Sequence, residues 1–467
     1  MSLRRLLYHG AIYGFTTATA RFLNWALTPL YVHRLSMEEF GRLSELYSWM
    51  VFGLIVAGMG METAYFRFGR SARVEGQASA TIFWHILRLM GGVGGGVAVV
   101  LFLLGYWAAP SLGYEGREDL IGLAIAIWTV DAWGSFALAY QRAVGRPFRF
   151  AVIQLTHVGA ILALNWWGVG MRGYGLAYIL WVNLLASLLR LGWALSWGPS
   201  RVSEASAQEV GYPVLLRYGL TLTLIGLLGA TNDVLDRILL ARHDLKQTAL
   251  YSAAYKVAMA LALFVQAYRQ AGEPLLLGEN RGDRSFYRRS WLLYHGVGLM
   301  GVLLLMIWVE PLVTTTWGGL LPKPLFPTVY HPALSVVPLL LWAHLLMGTL
   351  VQASIWYKLS HKPEAGIAIT ALGSVITWLG NLYGIPRYGY MASAWTTLVA
   401  YGAMVILSVG KGRRMLPGAF PLLPIGIAIL IVGVALAAAV HLSRWVGTIA
   451  GLVGLLSLFG LLLYRRR

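Results

Sequence analysis

The sequence predicts an all-α polytopic membrane protein, and three observations carry that expectation. Of 467 residues, 58% are hydrophobic and only 12% charged, with mean hydropathy +0.65, far more apolar than a soluble chain of this length. Cutting the chain at its charged, Pro and Gly clusters leaves about fourteen stretches long enough to cross a bilayer. Lys and Arg also fall unevenly on alternate connections: about 21 lie on the side of the termini, about nine on the opposite side and about seven within spans.

The boundaries follow in order. Span 8–32 lies between Arg4/Arg5 and Arg34, span 43–66 between Arg42 and Arg67, and span 81–109 ends at Pro110. Span 118–141 runs from Glu118 to Arg142, 149–168 follows Arg146-Pro147, and 173–197 lies between Arg172-Gly173 and Gly198-Pro199. Span 213–241 starts at Pro213 and stops before Arg242, 247–271 stops before Glu273-Pro274, and 290–310 runs from Arg289 to Pro311. Span 334–356 follows the longest external connection, "VTTTWGGLLPKPLFPTVYHPALS", and ends before Lys358. Spans 365–384 and 388–409 flank Pro386-Arg387, and 419–441 and 445–464 flank Arg444. An even count puts both termini on one side, which the Lys/Arg bias makes cytoplasmic. Span 8–32 exceeds the apolar stretch of a signal peptide and reads as an uncleaved first helix. No connection is long enough for a soluble domain.

The net charge of +18 raises nucleic-acid binding, but the cations are scattered through short loops without a basic helix or RNA-binding signature; no nucleic-acid partner is expected. With no cysteine there is no disulfide framework, thiolate metal site or thiol nucleophile. "GGVGGG" (91–96) lacks the Gly-Lys-Ser/Thr of a phosphate loop and reads as small-residue helix packing. His157, His295 and His344 sit singly on separate spans, without metal-ligand spacing, and read as packing or hydrogen-bonding residues. Trp and Tyr cluster near the expected interfaces, as in an aromatic belt.

A charge at the centre of a membrane helix costs about 2.5–3.5 kcal/mol on insertion scales, so each one calls for a reason. Arg21 and Asn24 lie at mid-depth in the first span, Asp131 in the fourth and Lys256 in the eighth, while Glu62 and Glu273 mark span ends. In "ATNDVLDRILL" (230–240), Asp233 and Arg237 are four apart and Asp236 shares their side of the helix. Two readings stand. These groups are a self-paired helix end, an Arg21–Asp131 strut, a Lys256 that snorkels outward, a Glu62 anchored beside Arg67 and Arg70, and a Glu273 accompanying a helix break at Pro274. Alternatively they line one wet cavity, in which Arg21, Asn24, Arg237 and Lys256 receive a diphosphate while Glu62, Asp131, Asp233, Asp236 and Glu273 couple or gate transport. A weak internal echo lays 33–47 over 241–255, matching Arg34 with Arg242, Ser44 with Ser252 and Tyr47 with Tyr255, with Asn24 over Asn232 upstream. It suggests two six-helix halves and a terminal helix pair.

Two segments carry a resemblance. "GAIYGFTTATARFLNWALTPLYVHRLSMEEFGRLSELYSWMVFGLIVAGMGMETAYFRFGR" and "TNDVLDRILLARHDLKQTALYSAAYKVAMALALFVQAYRQAGEPLLL" resemble the starts of the two halves of bacterial polysaccharide biosynthesis proteins of the oligosaccharide (O-antigen type) flippase family. That family lies within the multidrug, oligosaccharidyl-lipid and polysaccharide exporter superfamily. The resemblance implies lobes at 1–200 and 201–414 around a cavity, a terminal pair at 415–467, and alternating access that carries polyprenyl-diphosphate-linked glycan to the external leaflet of the bacterial inner membrane. It implies work in lipopolysaccharide assembly beside membrane lipids and glycan polymerase machinery. Nothing in the sequence points to nucleotide hydrolysis or a cofactor, so an uphill cycle needs a proton or sodium ion gradient or downstream consumption of the glycan. Arg21 matches the family's first-helix cavity arginine, and Asp236 and Arg237 its seventh-helix pair. About fourteen spans also resemble the lipid II flippase branch. Two rivals remain: a small-molecule exporter of the same superfamily, and a membrane glycan polymerase or glycosyltransferase, for which Glu38 and Glu39 are the candidate acidic pair.

Overall fold

The computed structural model describes residues 12–16, 19–20, 22–23, 25–69, 80–199, 210–277, 283–316, 323–360 and 362–464. Among them there are helices and turns and no strand. Thirteen helical segments are long and apolar enough to cross a membrane, from Met37–Phe68 to Arg444–Tyr464. They correspond one for one to the second to fourteenth expected spans, so the chain is an all-α polytopic membrane protein. Arg21 and Asn24 of the first expected span lie outside the described residues.

Contacts divide the chain into two compact units, Met1–Leu245 and Lys246–Arg467. The first contains α1 (Thr28–Arg34), α2 (Met37–Gly58), α3 (Met61–Phe68), α4 (Ala80–Leu89), α5 (Gly95–Ala108), α6 (Glu118–Ala143), α7 (Pro147–Asn165), α8 (Leu176–Ser196) and α9 (Tyr212–His243). Its tightest packing joins α6 to α8 and α2, and α9 packs along α2 and α3. The division therefore falls one span beyond residue 200. The second unit contains α10 (Leu245–Leu277), α11 (Arg284–Thr314), α12 (Val337–Ala353), α13 (Ile355–Leu359), α14 (Pro363–Tyr388), α15 (Tyr390–Met415), α16 (Leu423–His441) and α17 (Arg444–Tyr464). There α15 packs on α12 and α14, and the terminal pair α16–α17 packs on α11.

Local chemistry explains where several helices begin and end. α2 starts at Met37, earlier than its apolar run, because Ser36 forms a capping box with Glu39, each side chain meeting the other's backbone N–H at 3.2 Å. Glu39, one member of the acidic pair offered for the enzyme reading, thus caps α2. The second span breaks at Met59 and Gly60, both left-handed (φ 45° and 63°), before α3 resumes. The backbone of α9 approaches this break so closely that a Cβ on Gly219 would overlap the carbonyl oxygen of Met59. "GGVGGG" lies inside continuous helix, across a π-helical turn at Met90–Gly94, with Gly94 facing Ala57 and Trp133; a phosphate loop is excluded there.

One expectation needs correction. α10 continues through Pro274 to Leu277, so no helix break accompanies Glu273 at that point; the side chain of Glu273 lies outside the described residues. Within the long external connection, Thr328–Val336 forms a 3-10 helix that leads into α12, begun by Pro327 and accommodating Pro332.

Candidate functional site

The first unit holds an ionic cluster at mid-span. On α6, Asp131, Gly134 and Ser135 share one face at i, i+3 and i+4; on α8, Asn183 and Arg190 share one face seven residues apart. Packing α6 on α8 brings these faces together. Arg190 Nη2 donates to Asp131 Oδ1 at 2.9 Å, to the Asp131 carbonyl at 2.9 Å and to Ser135 Oγ at 3.5 Å. The guanidinium side chain is 8% exposed and the carboxylate side chain 29%. Gly134 makes the approach possible, since a Cβ there would press on Arg190 Nε at 3.1 Å. Each charge offsets the desolvation of the other, so the pair persists where either alone would be expelled.

Neutral polar groups adjoin the pair. Asn183 donates to Tyr47 Oη of α2 at 3.1 Å and to the Ile179 carbonyl at 2.8 Å. His157 of α7 feels the Arg190 charge, and neither of its ring nitrogens has a hydrogen-bond partner. Asp131 pairs with Arg190, which sequence reasoning passed over. The available signal was that Arg190 is the only ionisable side chain but for its tyrosine in "LAYILWVNLLASLLRLGWALS".

Glu62, in the first turn of α3, forms an ion pair with Arg142 at the end of α6. The Arg142 guanidinium also lies over Phe66 and Phe150, 5.3 and 5.7 Å from their ring centroids. The sequence neighbour Arg67 turns instead to Tyr218, at 4.9 Å; the break at Met59–Gly60 aims Glu62 toward α6. A third cluster was not foreseen. Glu45, 3% exposed on α2, accepts from Tyr114 Oη at 2.9 Å. Arg42 lies over the Tyr114 ring at 4.6 Å and donates to the Gly113 carbonyl at 2.8 Å, while Arg242 donates to Ser111 O at 3.3 Å. Burial and the adjacent Glu45 carboxylate push the Tyr114 phenol far above its ordinary value, which keeps it a donor. These contacts pin the 109–117 connection to the ends of α2 and α9.

The polar stretch near the end of the seventh span is split by the helix itself. Asp236 is 1% and Asn232 5% exposed, whereas Asp233 is exposed and Arg237 half-buried. Asp233 and Asp236 therefore do not share an environment: three residues turn the helix by about 300°, which leaves them about 60° apart at the edge of the packed face. Arg237 Nη1 reaches the backbone oxygen of Asp233 at 3.4 Å, and the Arg237 N–H donates to Asp236 Oδ1 at 2.8 Å. Lys256 is half-buried on α10, in the second unit.

Among the described residues of the second unit, the buried polar side chains are neutral. His295 Nδ1 lies 2.8 Å from the Trp291 carbonyl and Nε2 lies 3.1 Å from Thr349 Oγ1. Ser393 donates to Asn381 Oδ1 at 2.7 Å, and His344 packs edge-on against Tyr255 with ring centroids 5.0 Å apart. His295 and His344 thus act as hydrogen-bonding core residues. Among the described residues no group of three or more His, Asp or Glu side chains is arranged to hold a metal ion.

The architecture is that of polytopic membrane transporters and flippases. Among solved structures the chain is similar to "Lipid II flippase MurJ, inward closed conformation", with TM-score 0.75 and 11% identity over 97% of this chain and 99% of that one. It is also similar to an inward-facing multidrug resistance MATE family transporter of the MOP superfamily, with TM-score 0.65 and 15% identity over 86% and 95% of the two chains. A MATE protein in complex with MaD3S gives TM-score 0.58 and 14% identity over 88% and 96%. No protein-family model matches the sequence, and no curated protein matches it significantly.

Proposed function

We propose that the protein is a flippase that carries a polyprenyl-diphosphate-linked oligosaccharide from the cytoplasmic to the external leaflet by alternating access. The observation that carries this reading is the near-complete likeness of fold to a lipid II flippase, spanning 97% of this chain and 99% of the other. The physics supports it: a glycan headgroup with two phosphates cannot cross hydrocarbon unaided, and rocking lobes would supply a hydrated cationic path beside lipid. In this reading the lobes are 1–200 and 201–414, with 415–467 a peripheral pair. Arg21, Asn24, Arg237 and Lys256 hold the diphosphate, and no bond is made or broken. Asp131 couples the cycle to a proton or sodium ion through its exchangeable pairing with Arg190, and Glu62, Asp233, Asp236 and Glu273 gate it. Both termini are cytoplasmic, in accord with the Lys/Arg bias, and the delivered glycan serves polymerase machinery outside, as in lipopolysaccharide O-antigen assembly.

A second substrate, lipid II itself, is favoured by the likeness to the same lipid II flippase. Small-molecule export rests on the MATE likenesses, which cover less of the chain. Vesicles reconstituted with the full chain and given fluorescent polyprenyl-diphosphate oligosaccharide, lipid II or an organic cation separate the three. Oligosaccharide translocation that is lost in Arg21→Ala supports the proposal; transport of the cation alone overturns it.

A further inference from the structure

The second unit contains a cavity of about 490 Å³ between α11, α12, α15 and α16, within the size range of small-ligand sites. Its walls are almost wholly hydrocarbon, with Trp291, Trp342 and Leu346 at its back. Of the polar groups on the wall, His295 and Thr349 bond to each other at 3.1 Å, and the indole Nε1 of Trp291 is buried without a hydrogen-bond partner. At the outer edge Ile406, Leu422 and Ile429 are 73%, 45% and 43% exposed, which opens the cavity sideways to whatever surrounds membrane helices.

One end is charged. Arg413, in the last turn of α15, is exposed and lines the cavity together with Leu398 of the same helix. At 1.5 Å per residue the stretch from Leu398 to Arg413 is about 22 Å long. That exceeds the roughly 15 Å that one leaflet contributes to a hydrocarbon core of about 30 Å. Among the described residues no carboxylate forms an ion pair with Arg413, and its neighbours Lys411 and Arg414 add to the positive field.

We propose that this groove is the site of a resident anionic phospholipid, with one acyl chain between α15 and α16 and its phosphate against Arg413. The shape selects a chain of leaflet length, and the end selects the charge. The occupant is a bound membrane lipid and does not depend on what the protein transports. Gly410 lies on the same wall, and a Cβ there meets no atom within 4 Å; a large side chain at this position enters the groove rather than the protein.

The test is titration of the delipidated full chain in detergent with phosphatidylglycerol or phosphatidylcholine of identical acyl chains, read by native mass spectrometry. One phosphatidylglycerol is expected to bind roughly tenfold more tightly than phosphatidylcholine. Arg413→Gln should reduce it to the phosphatidylcholine level, and Gly410→Trp should abolish binding of both while the lipid-free unfolding midpoint stays unchanged. Equal affinity of the wild-type chain for the two lipids, or undiminished phosphatidylglycerol binding by Gly410→Trp, overturns the proposal. Displacement of the lipid by inorganic phosphate at equal concentration also overturns it, because the site would then recognise a free anion.

Discussion

In the first unit the polar interior is ionic: Asp131 meets Arg190, Glu62 meets Arg142, and Glu45 lies buried beneath Tyr114. In the second, the buried polar side chains among the described residues are neutral, with His295 on Thr349, Ser393 on Asn381 and Trp356 Nε1 donating to Ser408 Oγ at 3.2 Å. A neutral pair that loses one member leaves one unmet hydrogen bond, but an ion pair that loses one member leaves an uncompensated charge. The first unit is therefore poised for large energetic responses to a change in charge. Its ionic groups bridge α6 to α8 and α3 to α6, so each such change acts on helix packing.

The largest expected effect lies at Arg190. Arg190→Leu strands the Asp131 carboxylate and should lower stability by about 3 kcal/mol, read as unfolding of the purified chain in detergent. Adding Asp131→Asn to that variant should restore most of the loss. A single-variant loss below about 1 kcal/mol would mean that water already screens the pair, and the contrast between the units would collapse. Tyr114→Phe comes next, at about 2 kcal/mol, because it removes the hydroxyl donor from a carboxyl that is 3% exposed. In the second unit Thr349→Val, which takes the Nε2 partner from His295, should lower stability by only about 1 kcal/mol. A loss as large as that of Arg190→Leu would show that neutral networks here are as demanding as ionic ones.

Much of the fold was legible because length and hydropathy alone decide whether a segment can cross a bilayer. The fourth span, expected at 118–141, is Glu118–Ala143, and the last, expected at 445–464, is Arg444–Tyr464. Boundaries moved where local chemistry outranked hydropathy, as when the Ser36–Glu39 capping box drew the start of α2 back to Met37. The candidate site was less legible, because pairing is a tertiary property. Asp131 was conspicuous, but nothing in the chain links it to Arg190, 59 residues on. Glu62 has Arg67 nearby in sequence, yet the left-handed break at Met59–Gly60 directs it to Arg142. In "TNDVLD" the spacing of Asp233 and Asp236 correctly put both on a helix, but burial separated them, since about 60° of rotation spans the edge of a packed face.

The smallest expected effect sharpens the comparison from outside the membrane. Asp283 caps α11, accepting from the Ser285 and Phe286 N–H groups at 2.8 and 3.2 Å. Bonding to Ser285 and then to the Phe286 backbone holds its carboxyl below the ordinary carboxylate value. A folded value depressed in this way contributes stability that is fully present above the unfolded value of about 3.9. That contribution disappears as pH falls through the folded value. Asp283→Ala should therefore lower the unfolding midpoint slightly at pH 7, and the difference from the wild-type chain should shrink on acidification below about pH 4. The residue is exposed, so water limits the effect, and it should stay well below that of Arg190→Leu. A difference that instead grows as the pH falls would show that the charged carboxylate does not stabilise this helix start.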